Sequence, residues 1–200
     1  MRKLLRVEFE DPGHRYWIEG VPAPSLSEVL ESQFQLQDNP NMQERGLDLG
    51  SDVHKATHYF DENDLDESTL SDEVGRYLES WKRFKHKYRI KVLARERPTG
   101  NIAPLYGCTP DVVAEMSIAD CAIIEIKKGM YHELKYRFQT MGQKLAVQRT
   151  LGLKPKLRMV VILNPDGKDP KEKIHKQETE DMVGLVSTVN LFNLRRKYGK

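Results

Sequence analysis

Asp111, Glu125 and Lys127 fall within one stretch of this 200-residue chain, YGCTPDVVAEMSIADCAIIEIKKG (106–129). Its apolar halves, Asp111-Val-Val-Ala and Cys121-Ala-Ile-Ile-Glu-Ile-Lys, read as two strands joined by a tight connection at 117–120. Side chains alternate along a strand, so Glu125 and Lys127 share one face and Ala122, Ile124 and Ile126 take the other. A bare Glu-x-Lys is equally at home on a solvated edge. Inside an apolar run, a carboxylate and an ammonium are costly to bury unless they pair or hold a metal. With Asp111 on the preceding strand, two carboxylates and a lysine can converge. Hard oxygen donors of that kind suit magnesium or manganese.

The rest of the chain must position these groups. Alternation over 4–9 and 15–18, about Asp11-Pro-Gly, predicts an opening hairpin. Ser25 and Glu28 have capping-box spacing, which starts a helix reaching about residue 32. The polar segment 33–42 reads as a loop. From residue 43 a second helix sets Leu49, Val53, Ala56 and Phe60 inward, with Gly46, Gly50 and His54 in a neighbouring row. Mid-helix glycines cost ~1 kcal/mol each relative to alanine, so this row suggests close packing. A histidine beside such a seam is either a packed core residue or a ligand. Acidic residues 61–72 read as a loop. Ser71 caps a third helix with Val74, Leu78, Trp81, Phe84 and Tyr88 inward and Lys82, Arg83, Lys85 and Lys87 on the other face. A strand over 89–97 carries Glu96. After the central pair of strands, a helix over 131–151 turns Leu134, Phe138, Met141 and Leu145 inward, with Lys135 and Gln139 beside that seam. Residues 157–163 form a continuous apolar strand and 168–177 a loop or edge hairpin. A final helix over 178–198 packs through Met182, Val186, Val189 and Phe192.

Pro110-Asp111 followed by Glu125-Ile126-Lys127 resembles the PD-(D/E)XK nuclease superfamily. Four further patterns point to its phage-type and RecB-type exonuclease branch. His14-x-Tyr16, Gly20 and Pro24-Ser25-x-Ser27-x-Val29-Leu30 resemble the N-terminal segment of those proteins, and Gly50-Ser-Asp-Val-His54 resembles their Gly-x-x-x-His motif. Glu96 falls where similar nucleases place a glutamate near the metals. Gln139-Thr-Met-Gly-Gln143 stands where RecB-type members carry Gln-x-x-x-Tyr, with Gln143 in place of the tyrosine. Together they span residues 14 to 143.

The resemblance implies an α/β fold, a mixed central β-sheet flanked by helices. It implies one nuclease domain over 1–200, with an N-terminal hairpin and helix (1–42), a core (43–165) and a closing loop and helix (166–200). Asp111, Glu125, the Ile126 backbone carbonyl and His54 would ligate one or two magnesium or manganese ions, the imidazole favouring manganese. Lys127 would act with Asp111 and Glu125 in catalysis, orienting or deprotonating the attacking water. Burial would lower the pKa of Lys127 and the carboxylates would raise it, and the sequence leaves that balance open. Glu96 would stand behind the ligands. Gln139, Lys135 and Gln143 would contact substrate.

Composition sets the outer bounds. At 31% charged and 38% hydrophobic residues the chain is of ordinary globular type, and no apolar run approaches the ~20 residues of a membrane span. No signal peptide is expected. Two cysteines, Cys108 and Cys121, exclude a disulfide framework and a four-cysteine iron–sulfur site, so a bacterial or phage-infected cytoplasm is the expected compartment. Net charge is +2, but residues 1–75 carry 6 basic against 17 acidic groups and residues 126–200 carry 17 against 7. Such asymmetry fits either solvated helix faces or an anionic partner, and DNA is the partner the resemblance implies. A homo-oligomer or a recombination or helicase protein is a further possible partner. The expected activity is a metal-dependent deoxyribonuclease, an exonuclease serving DNA recombination or repair. A structure-specific or single-strand endonuclease, and a non-catalytic DNA-binding module on the same fold, are the alternatives.

Overall fold

Alternating side chains and tight turns begin the chain as an antiparallel sheet of β1 (Val7–Glu10), β2 (Arg15–Ile18) and β3 (Val21–Ala23). The third strand extends the expected hairpin. The structure is a computed structural model and describes residues 3–34 and 40–199. Ser25 caps α1 (Leu26–Gln33) by accepting the Glu28 N–H at 3.0 Å. Of the loop expected at 33–42, residues 35–39 lie outside the described residues, Gln33 ends α1 and the last three residues are helical. Helix α2 (Pro40–Glu62) is in place from Pro40, because proline suits the first helical position. Asp61, expected in a loop, instead lies in the last turn of α2 with its side chain buried. It takes hydrogen bonds from Trp81 Nε1 at 3.0 Å and Lys85 Nζ at 2.6 Å.

Ser71 caps α3 (Asp72–Tyr88) as its spacing predicts. Then come β4 (Lys91–Arg95), β5 (Thr99–Ile102), β6 (Leu105–Cys108), β7 (Val112–Met116) and β8 (Ala119–Lys127). The segment before Asp111 therefore divides: β6 leaves the main sheet and pairs with β5 in a hairpin of its own. Helix α4 (Glu133–Thr150), capped by His132, crosses to β9 (Leu157–Ile162), the edge strand β10 (Lys171–Ile174) and helix α5 (Glu178–Tyr198).

The central sheet runs β10-β9-β8-β7-β4, with β8 and β9 parallel and the other pairs antiparallel. It is the mixed sheet flanked by helices that the sequence implies. One face, with Val112, Ala114, Ile124, Ile126, Met159 and Val161, packs on α2 and α3. The other, with Val113 and Ile123, faces α4 through Val147. Outside α4, Leu26 and Leu30 of α1 meet Phe138 and Met141 of α4 and Leu185 and Val189 of α5. Gly142 permits this layering, since a Cβ there would lie 2.5 Å from Leu26. Gly107 does the same for β2, whose Tyr16 ring occupies the space of its absent side chain.

Three expectations need correction. Leu134 and Met182 are exposed rather than inward. On α5 the reason is Asp181, fully buried because Arg158 and Arg137 each bond it at 2.7 Å, which turns Leu185 into the core beside the expected Val189. Arg158 itself interrupts the supposedly apolar strand β9. Finally, the basic face of α3 would add charge to a groove along α4 only if both helices lined it; α3 lies on the opposite sheet face, and its Lys82, Lys85 and Lys87 are paired with Glu67 and Glu79, Asp61, and Glu172.

Candidate active site

The strand pair β7–β8 delivers the three residues first singled out. Glu125 and Lys127 lie on the α4 face of β8, and Lys127 Nζ donates to Glu125 Oε1 at 2.5 Å. Asp111 sits one residue before β7 and accepts the Ile126 N–H through Oδ2 at 2.7 Å. The register defines its surroundings. Val112 pairs with Ile124, so continuing the ladder sets Pro110 opposite Ile126. Proline has no N–H, so it cannot supply the Ile126 carbonyl with its ladder bond. The proline thus withholds a donor from the backbone oxygen beside the carboxylate that takes the matching N–H.

Helix α4 closes over Glu125. Gln139 Nε2 donates to Glu125 Oε1 and Gln143 Nε2 to Oε2, both at 2.6 Å. Both carboxylate oxygens are therefore engaged, and Glu125 is 1% exposed. Gln143 Oε1 is buried and has no donor among the described residues. Burial, then the charge of Asp111, lifts the Glu125 carboxyl above its usual range against the opposing pull of Lys127 and Gln143. Burial alone would lower the pKa of Lys127, but Glu125 and Asp111 together outweigh it and hold the ammonium above its ordinary value. The balance left open by the sequence thus falls to the carboxylates. The Lys127 ammonium also stands 5.5 Å over the ring of Tyr136.

The second wall comes from α2. His54 Nδ1 lies 3.7 Å from Asp111 Oδ1, facing it beyond hydrogen-bond range. Gly50, one turn earlier, makes room for Lys128: a Cβ there would be 3.2 Å from the lysine Cε. One turn later stands His58, which the sequence reading did not single out. Its Nδ1 meets Glu96 Oε2 at 2.9 Å and its Nε2 meets Glu62 Oε1 at 3.1 Å. Glu96 is tied to Asp111 through its backbone N–H, which donates to the Asp111 carbonyl at 3.2 Å, while its carboxylate turns to His58. The spacing His54-x-x-x-His58 was the available signal, since i and i+4 share a helix face. Lys135 lies apart from Glu125, with Nζ 3.9 Å from Glu31. Beside the glutamines opens a cleft of about 600 Å³, lined also by Ser27, Glu28, Tyr16 and Thr109.

No protein-family model matches the chain, and no curated protein matches it. Among solved structures it is similar to a Eubacterium rectale protein described as a "Putative exonuclease", at 12% identity over 90% of this chain and 76% of that one, with a TM-score of 0.49. A second, SSO0001, has 14% identity over 84% of each chain and a TM-score of 0.33. Likenesses of this strength transfer no activity.

By donor type the residues fit a hard divalent cation: carboxylate oxygens of Asp111 and Glu125, the Ile126 carbonyl and the His54 imidazole. Among the described residues, no three or more His, Cys, Asp or Glu side chains stand grouped to hold one. The oxygens of Glu125 face Lys127 and two amides. Taking a cation would require it to release one of these bonds. Among the described residues, no helix is long and apolar enough to cross a membrane.

Proposed function

We propose that this chain is a metal-dependent deoxyribonuclease of the PD-(D/E)XK type, acting as an exonuclease on DNA. The observation that carries the reading is the meeting of Asp111 and the Glu125–Lys127 pair at adjacent strand ends, with Gln139 of α4 on the same carboxylate. Asp111, Glu125, the Ile126 carbonyl and His54 would hold magnesium or manganese. Such an ion, when bound, supplies Lewis acidity at the phosphate and an activated water. Lys127 spends one of its three donors on Glu125, and the others can orient a water or meet a phosphate oxygen as charge develops. Gln139 and Gln143 set the rotamer of Glu125; the half-buried Gln139 stands at the cleft, in reach of a substrate backbone, whereas Gln143 is buried behind it. Glu96, held by His58, supports Asp111 through the backbone.

The saturation of Glu125 favours a second reading, a DNA-binding module without turnover. One experiment separates the two: linear and circular DNA, single- and double-stranded, incubated with magnesium, manganese or chelator. Metal-dependent loss of linear forms alone is the expected result, and cleaved circles would mean an endonuclease. Asp111→Asn and Glu125→Gln should each abolish cleavage while keeping the fold. Binding without cleavage in every metal would establish the second reading.

A further inference from the structure

A line of rings and ammonium groups leads outward from Lys127. The Tyr136 ring beneath its Nζ lies 5.5 Å from the Tyr131 ring, tilted 31°. Tyr131 in turn has Lys173 Nζ 5.5 Å from its centroid. Cation, ring, ring and cation follow one another from the candidate site to the sheet edge. Tyr131 is fixed by its hydroxyl, 2.8 Å from His175 Nε2, and His175 is held from behind by Thr140 at 2.9 Å. Both tyrosines are only half buried, so their rings keep accessible surface.

The surroundings are those of a binding surface rather than a core. Met130, at 90% exposed, directly precedes Tyr131, and Leu134 is exposed in the first turn of α4. Edge strand β10 presents Lys171 and Lys173 to solvent. Glu172 between them points to the opposite face, where Lys87 and Tyr88 bond it at 2.9 and 2.5 Å. Its charge is thereby neutralised away from the line. Glu133 is an exposed carboxylate nearby, and the exposed Glu180 is paired with Arg137.

We propose that this line is a track for single-stranded nucleic acid, with bases stacking on Tyr131, Tyr136 and Met130 and phosphates meeting Lys171 and Lys173. Every base has a π-face, so aromatic platforms interleaved with cations take single strands without reading their sequence. In a duplex those faces are already stacked. The track would deliver a strand end to Lys127, a step that rests on the nuclease reading. Binding itself does not rest on it.

The test measures anisotropy of a labelled thymidine oligomer of about 20 nucleotides and of a blunt hairpin duplex, with the full chain in chelator so that no turnover intervenes. Tyr131→Ala should weaken oligomer binding roughly five- to hundred-fold, while Tyr131→Phe, which keeps the ring, stays near the parent. Met130→Ala, at a site with little packing to lose, should weaken it several-fold with an unchanged melting temperature. Lys173→Ala should lower the log–log salt slope for the oligomer by about 0.7. Duplex binding should change little in all four. The proposal is overturned if Tyr131→Phe loses as much as Tyr131→Ala, which would assign the tyrosine to its histidine bond alone. Equal losses on oligomer and duplex would overturn it as well. Oligomer binding that follows these expectations in a protein that cuts nothing would leave the track standing and sink the nuclease reading; cleavage with binding indifferent to Tyr131 would do the reverse.

Discussion

Replacing Lys127 by methionine removes the ammonium bonded to Glu125 while keeping most of the side-chain volume. Breaking a buried ion pair from one side costs ~3–5 kcal/mol. Lys127 is 24% exposed at its side chain and the two glutamine bonds to Glu125 survive, so the low end applies, about 3 kcal/mol. For a domain of this size each kcal/mol moves the melting temperature by ~2–4 °C, which gives a fall of roughly 6–12 °C at neutral pH. The pH dependence has a definite sign. Burial and Asp111 already raise the Glu125 carboxyl above its ordinary 4.5, and Lys127 opposes that rise. Removing Lys127 raises it further. A group with a raised folded-state pKa contributes stability that is fully present below the unfolded value and lost as pH climbs through the folded one. Lys127→Met should therefore regain stability as pH falls toward 4.5, and regain more of it than the parent. Thermal melts followed by circular dichroism at neutral and mildly acidic pH would show this. A variant that melts with the parent at neutral pH, or that loses ground to it on acidification, would refute the reasoning.

Asp181→Ala should cost about 3 kcal/mol in urea unfolding, the low end for a broken buried pair, because the fully buried Arg158 keeps Glu178 at 3.1 Å; replacing both residues by apolar ones should cost less. His54→Ala should weaken manganese affinity more than magnesium affinity, measured calorimetrically, if the imidazole is a ligand; unchanged titrations with a lower melting temperature would make it a packing residue. Lys135→Ala should flatten the salt dependence of DNA binding by about 0.7–0.9 in log–log slope, and Gln139→Ala should weaken binding or turnover without changing it. Salt titrations that overlay the parent would remove both residues from the substrate path.

Local rules carried the sequence reading furthest where the decisive partners are close in the chain. Alternation was enough to set Glu125 and Lys127 on one face and Ile124 and Ile126 on the other, and cap spacing placed the starts of α1 and α3. What escaped depends on pairings across the chain. Nothing local reveals that an arginine in Leu-Arg-Met-Val-Val is buried, because its partner Asp181 lies 23 positions on. The same pairing leaves Met182 out and brings Leu185 in, while Val189 and Phe192 pack where periodicity set them, since an ion pair can bury an aspartate that periodicity assigns to solvent. Glu96 was noticed but not its imidazole, since His58 sits on an earlier helix. Gln143 in place of a tyrosine looked like a defect in a motif. In the structure it is a second amide on Glu125.

The crossover through α4 has a kinetic corollary. Strands β7 and β8 are joined by a tight turn, whereas β8 meets β9 only after a whole helix has been laid across the sheet. Short loops close first and long ones are entropically later, so the β7–β8 hairpin should form early and the parallel pairing late. In the early species Asp111, Glu125 and Lys127 are already neighbours while Gln139 and Gln143 are still distant in the unformed helix. Substitutions in the hairpin should then slow folding, with high φ-values, whereas those in β9 and on the glutamine side of α4 should mainly speed unfolding. The charged cluster is, on this ordering, a seed that the rest of the chain closes over.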